Sequence, residues 1–279
     1  MTDIPFTAPS PTLPRAAVNT GAGLWVSSLT VAGRMLRKFA RTPQLIAFTA
    51  IQSALFLLMF RFAFGGAIRT GGSLSYVNFL VPGFIATTVL WSGMGAATGV
   101  AEDVGHGFVD RLRSLPIPRA AVLIGRSLAD TALLVWGLVI AVVFGFAVGF
   151  RLHGSVSGDL AAFGLCVVFG FAFEWIFIVI GLVSGNAQAA QQMGLVITPL
   201  VFLSSAYVPV ASMPDGVRQF SQFQPVTSMV DAVRRLTTGR QGAALLPHST
   251  GHYVGLSLVW AAAIFVVFGS LAVLRFARR

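Results

Sequence analysis

Between positions 160 and 183 the chain reads LAAFGLCVVFGFAFEWIFIVIGLV, twenty-four residues with one charged side chain, Glu174. At about 1.5 Å per residue, a helix of that length crosses the roughly 30 Å of hydrocarbon in a bilayer. Six such stretches can be marked out, at 44–64, 79–101, 124–149, 160–183, 191–209 and 254–274. Hydrocarbon offers no hydrogen-bond partners, so each stretch must satisfy its own backbone, which specifies helices. The chain is 56% hydrophobic and 10% charged, whereas soluble domains carry about 25% charged residues. The expected fold is therefore an all-α polytopic membrane protein with six transmembrane helices. The stretch 191–209 is the least regular, because Pro199 removes a helical hydrogen bond and a Ser204-Ser205 pair follows.

The net charge of +10 does not mark a nucleic-acid binder, because the basic residues sit at the ends of apolar runs. They report topology instead. Alternate connections sum to twelve Lys and Arg on one side and seven on the other, which places both termini in the cytoplasm of a cell-membrane protein. Residues 1–23, rich in Pro, Thr and Ser with no apolar run, are expected to be a disordered cytoplasmic tail rather than a signal peptide. The membrane domain then occupies 24–279.

Two connections show helical periodicity of their own. In 24–41, Leu24, Ser28, Val31, Met35 and Phe39 share a side, while Arg34, Arg37, Lys38 and Arg41 cluster near the end. That is the pattern of a basic amphipathic helix lying against membrane lipids. Before the last run, Val217, Phe220 and Phe223 recur every three residues, and Val226, Met229, Val230, Val233 and Leu236 form a stripe. Pro225 suits a first turn, Asp231 can pair with Arg234 or Arg235, and Gly239 can end the helix. Together they predict a short re-entrant helical pair. Spacings Gly95/Gly99, Gly145/Gly149 and Gly181/Gly185 permit close helix approach.

Several chemistries are excluded. The only lysine is Lys38, so no Walker A loop can form. Cys166 stands alone, and His106, His153, His248 and His252 are scattered, so no catalytic group or metal site is expected. An ion-coupled secondary transporter needs ionisable residues inside the membrane, and Glu174 is the one clear case. Glu174 either has a structural role or faces a substrate pathway. A lipid-modifying membrane enzyme needs a polar catalytic cluster, and none is visible.

The segment 102–126, EDVGHGFVDRLRSLPIPRAAVLIGR, is the charged exception. Val104, Phe108, Leu112 and Leu115 share one side of a helical wheel, with His106, Asp110 and Arg113 opposite. Gly105 and Gly107 each cost about 1 kcal/mol of helix stability, so such a helix relies on a docking surface. Pro116 and Pro118 end it.

This segment, with GRSLAD at 125–130, resembles the D-x-x-x-G-x-x-D-R-x-R-S-L-P…GR-x-x-AD pattern of ABC-2 type transporter permeases, nearest the daunorubicin/doxorubicin-resistance branch. PLVFLSSAYVP at 199–209, Met213-Pro214 and PVTSMVDAVR at 225–234 also match. The resemblance implies a non-enzymatic permease subunit that exports a hydrophobic drug or lipid-like substrate. It further implies a second permease chain and a separate ABC ATP-binding subunit, which carries the ATP and Mg that this chain does not bind. Glu102, Asp103, Gly107, Phe108, Asp110, Arg111, Leu112, Arg113, Pro116 and Arg119 would then form a coupling helix facing that ATPase. Two positions depart from the pattern: Gln224, where Asn is usual before the proline, and Glu174, where the residue is usually uncharged.

Overall fold

The computed structural model describes residues 23–65, 74–105 and 119–278. Among these the regular structure is entirely helical: α1 (Leu24–Ala40), α2 (Pro43–Phe64), α3 (Tyr76–Gly105), α4 (Arg119–Val148), α5 (Val156–Val183), α6 (Ala187–Leu195), α7 (Thr198–Phe202), a 3-10 turn (Val210–Ser212), α8 (Asp215–Phe223), α9 (Pro225–Ala243) and α10 (Thr250–Arg278). Five of them, α2, α3, α4, α5 and α10, are long and apolar enough to cross a membrane.

The stretch 191–209 is not one helix. α6 stops at Leu195, and α7 restarts with Pro199 in its first turn, where the missing N–H costs nothing. Beyond Phe202 the Ser204 hydroxyl turns back to the Val201 carbonyl at 2.6 Å and accepts from the Ala206 N–H at 3.2 Å. Serine side chains that bond their own backbone in this way compete with helix continuation.

α3 is the central element, with 72% of its apolar window buried, against 11% for α2. It packs along α5, where a Cβ on Gly181 would come within 2.5 Å of the Ala97 carbonyl oxygen, and Gly93 leaves room for the Phe177 ring. α4 carries α1 on one side: a Cβ on Gly125 would lie 2.6 Å from the Ser28 carbonyl oxygen. Of the predicted glycine spacings, one member of each does the packing. Gly99, Gly145 and Gly181 abut neighbours, Gly95 and Gly185 face open space, and Gly149 turns the chain at φ +104°. An aromatic group ties α2 to the core: Phe56 stacks on Phe84 at 5.2 Å, Phe60 meets Tyr207 at 4.9 Å, and the Tyr207 and Thr87 hydroxyls bond at 2.9 Å.

The helix ends sort into two groups. At one end, Arg61 of α2 donates to the Val148 carbonyl of α4, and the Arg151 N–H donates to the Asn78 side-chain oxygen at 3.2 Å. There too, the His153 and Gly154 N–H groups reach the Thr237 carbonyl of α9 at 3.0 and 3.1 Å. At the opposite end lie α1, the last turn of α3 and the start of α4.

The packing predicts opposite outcomes for two glycines on neighbouring helices. Gly181→Leu should destabilise the detergent-purified protein by about 1–3 kcal/mol through overpacking. Gly95→Ala, with nothing within 4 Å, should be neutral or stabilising by up to about 1 kcal/mol. Thermal unfolding followed by circular dichroism separates the two.

Candidate functional site

The i, i+4 spacing of Arg126 and Asp130 puts both side chains on one face of α4. There Arg126 Nε donates to Asp130 Oδ2 at 2.6 Å, and its Nη1 donates to Asp103 Oδ2, on the last turn of α3, at 3.0 Å. The Arg126 and Asp130 side chains are each 11% exposed. Gly99, one turn before Asp103, makes this possible, since a Cβ there would overlap the guanidinium. Arg126 thus fastens α3 to α4 on both sides of the connection 106–118.

Glu174 belongs to the same neighbourhood. Its Oε2 accepts from the Thr131 hydroxyl at 3.4 Å, Oε1 has no partner among the described residues, and it feels the charges of Asp130 and Arg126. The sequence marked Glu174 as the one clear ionisable residue inside the membrane helices; the structure sets Arg126 and Asp130, from the edge of a membrane helix, beside it.

The residues expected to couple to an ATPase are only partly described. Glu102 and Asp103 form the end of α3. Gly107, Phe108, Asp110, Arg111, Leu112, Arg113 and Pro116 lie outside the described residues, as does the side chain of Arg119, which opens α4. The expected basic helix is α1: Arg34, Arg37 and Arg41 are exposed, and the Lys38 side chain lies outside the described residues. Its predicted stripe does not simply face lipid. Ser28 is buried and Val31, Met35 and Phe39 are half-buried, while Trp25, Val26 and Leu29 point outward on other faces.

At the opposite end, α8 and α9 form a short helical pair. Val226, Met229, Val230 and Val233 are buried as the periodicity predicts, and Gly239 breaks α9 at φ +55°. Asp231 pairs with Arg234 at 2.9 Å, whereas Arg235 turns away to the carbonyls of Leu246 and His248. Arg234 is fully buried. It also donates to the Ser205 carbonyl at 2.7 Å and the Phe79 carbonyl at 3.3 Å, and its Cζ lies 3.9 Å from the centroid of the Phe79 ring. Phe79 lies in the first turn of α3, and its carbonyl and ring both face the Arg234 guanidinium. The guanidinium is always charged, and Asp231 supplies the opposing charge that lets it be buried. Gln224 does not cap α9; its amide donates instead to the Leu203 carbonyl at 2.7 Å.

Sequence reasoning missed the Asp103–Arg126–Asp130 grouping and the Arg234–Phe79 contact. The spacing within GRSLAD was a usable signal for the first. The second, across 155 residues of sequence, had none. Replacing Arg126 by Ala leaves buried carboxylates without their cation and should cost about 3–5 kcal/mol. Arg126→Lys, which keeps the charge but loses the two-sided geometry, should lie between it and the wild type in the same thermal unfolding measurement.

Comparison with known proteins matches residues 27–237 to the ABC-2 type transporter family. The daunorubicin resistance ABC transporter permease protein DrrB1 of Streptomyces coeruleorubidus is 29% identical over 248 residues, covering 88% of this chain and 84% of that protein. The probable doxorubicin resistance ABC transporter permease protein DrrC of Mycobacterium tuberculosis is 24% identical over 240 residues, covering 86% of this chain and 84% of that one. With five helices suited to crossing a bilayer and a match that runs from α1 to the middle of α9, this multi-pass membrane protein belongs to the ABC-2 type transporter family.

Proposed function

We propose that this chain is the membrane permease of an ABC exporter, moving a hydrophobic or amphipathic drug- or lipid-like compound outward with ATP hydrolysed on a separate ATP-binding subunit. The observation that carries the reading is the family match over 27–237, together with relatives named as drug-resistance permeases. The lack of any lysine except Lys38 supports leaving nucleotide chemistry to the partner.

In this reading α6, α7 and the turn to Pro209 form a sixth, broken crossing, and both termini are cytoplasmic. α1 lies in the cytoplasmic interface, and α8 with the first half of α9 is the re-entrant pair at the outer end. Broken helices are tolerated at membrane depth where protein surrounds them, and Ser204, Ser205 and Ala206 are all buried. The exposed stripe Phe48, Ile51, Leu55, Leu58 and Phe62 of α2 supplies an apolar seam for lipid or for the second permease chain.

The segment 106–118 is the coupling helix, with Asp110 and Arg113 docking to the ATPase and Phe108 and Leu112 seating the helix. Asp103 and Arg126 hold its two ends together, so that a displacement imposed on it moves α3 and α4 jointly. α1, packed on α4 at Gly125, is carried along.

The double variant Asp110→Ala/Arg113→Ala should insert normally but lose most co-purification with its ABC ATP-binding subunit. Daunorubicin uptake into inside-out vesicles should fall in parallel. Uptake that persists without ATP and collapses with a proton ionophore would replace this reading with an ion-coupled transporter.

A further inference from the structure

A cavity of about 870 Å³ lies between α8, α9, the start of α10 and the connection 244–248. That volume falls in the range of roughly 300–1,000 Å³ that accommodates drug-sized ligands. Its mouth is exposed and carries Phe223, Pro247, His248 and His252, and Leu245, Leu246 and Leu256 line its body. Its buried floor holds Thr227, Asp231, Arg234 and Ser205.

The floor is a built polar site with unused capacity. Thr227 is 2% exposed, and its hydroxyl has no hydrogen-bond partner among the described residues. A buried hydroxyl left unpaired costs stability unless something else satisfies it. Asp231 uses Oδ1 for both the Ser205 hydroxyl at 2.6 Å and Arg234 at 2.9 Å, which leaves Oδ2 to accept from a ligand.

The charges select the ligand. Arg234 Nε, Nη1 and Nη2 already donate to Phe79, Asp231 and Ser205, which leaves a single Nη1 N–H and no two-pronged edge for an anion. A ligand cation at Asp231 would face Arg234 across the same carboxylate in a low-dielectric site. Arg218 at the rim is matched by Asp215. What remains is demand for neutral hydrogen-bond donors at the floor and apolar surface above it.

We propose that this cavity binds a neutral amphiphile with a hydroxylated, sugar-like head on an apolar body. The head donates to Asp231 and bonds Thr227, and the body lies along Leu245, Leu246 and Leu256. The assignment of the cavity to the outer end rests on the exporter reading, but occupancy needs neither ATP nor a partner subunit. Failure of transport therefore leaves the binding result standing, and the reverse also holds.

The test uses the full-length permease, without ATPase, in nanodiscs of phosphatidylcholine and phosphatidylglycerol. It is titrated with a hexyl glucoside carrying a nitrobenzoxadiazole fluorophore on its chain, and anisotropy is read. The glucoside should bind saturably, and the same labelled chain with a trimethylammonium or carboxylate head should bind more weakly. Thr227→Val should weaken glucoside binding about three- to tenfold, the loss of one hydrogen bond. Leu256→Trp should abolish it by filling the body of the cavity, with thermal unfolding confirming that both variants fold. Doping the nanodisc with a diacylglycerol glucoside separates two sources of the same chemistry. Competition assigns a membrane glycolipid, and unchanged binding assigns a freely diffusing glycosylated compound. No saturable binding, tighter binding of a charged head, or wild-type affinity in Leu256→Trp would each overturn the proposal.

Discussion

The Arg126 guanidinium, held between Asp103 and Asp130, is the interaction on which one whole end of the molecule depends. A charge in an apolar bundle must be paired and hydrogen-bonded or the helix that carries it will not settle there. Pairing fixes the register of α4 against α3, since only Gly99 leaves space for the guanidinium. One residue earlier, on an adjacent face, Gly125 lets α1 approach α4 at backbone distance, so three helices are set by one turn of α4. Glu174 brings α5 into the same group through Thr131.

The other end obeys the same rule with a different solution. Arg234 joins α9 to the first turn of α3 at Phe79 and to the Ser205 turn. The turn at Ser205 leaves a carbonyl outside any helix, and a guanidinium with five N–H groups can serve it and its other acceptors together. Both ends leave a buried polar atom unpaired among the described residues, Glu174 Oε1 beside Arg126 and the Thr227 hydroxyl beside Arg234. The Arg234 group in addition borders the cavity lined by α8 and α9.

Much of this was legible in the residues. Long apolar runs mark α2, α3, α4, α5 and α10, because crossing length and hydrogen-bond demand leave little choice. Pro225 and the stripe from Val226 to Val233 mark α9 through helical periodicity. The break at 196–197 was legible only as an expected kink at Pro199, since whether a proline bends or ends a helix depends on what satisfies the freed carbonyls. Glu174 looked isolated because hydropathy says nothing about which neighbouring helix turns an arginine inward. The floor of the cavity joins residues from α3, the Ser205 turn and α9, and no local pattern carries that contact.

The proposed role of the Asp103–Arg126 bond is to couple the segment 106–118 to the membrane helices. The most direct test of the proposed exporter is ATP hydrolysis and substrate transport measured in the same proteoliposomes, with Asp103→Ala permease assembled with an ABC ATP-binding subunit. Intact assembly and near-normal ATP hydrolysis with transport reduced several-fold, an uncoupled machine, are expected. Unchanged transport per ATP hydrolysed would contradict that role.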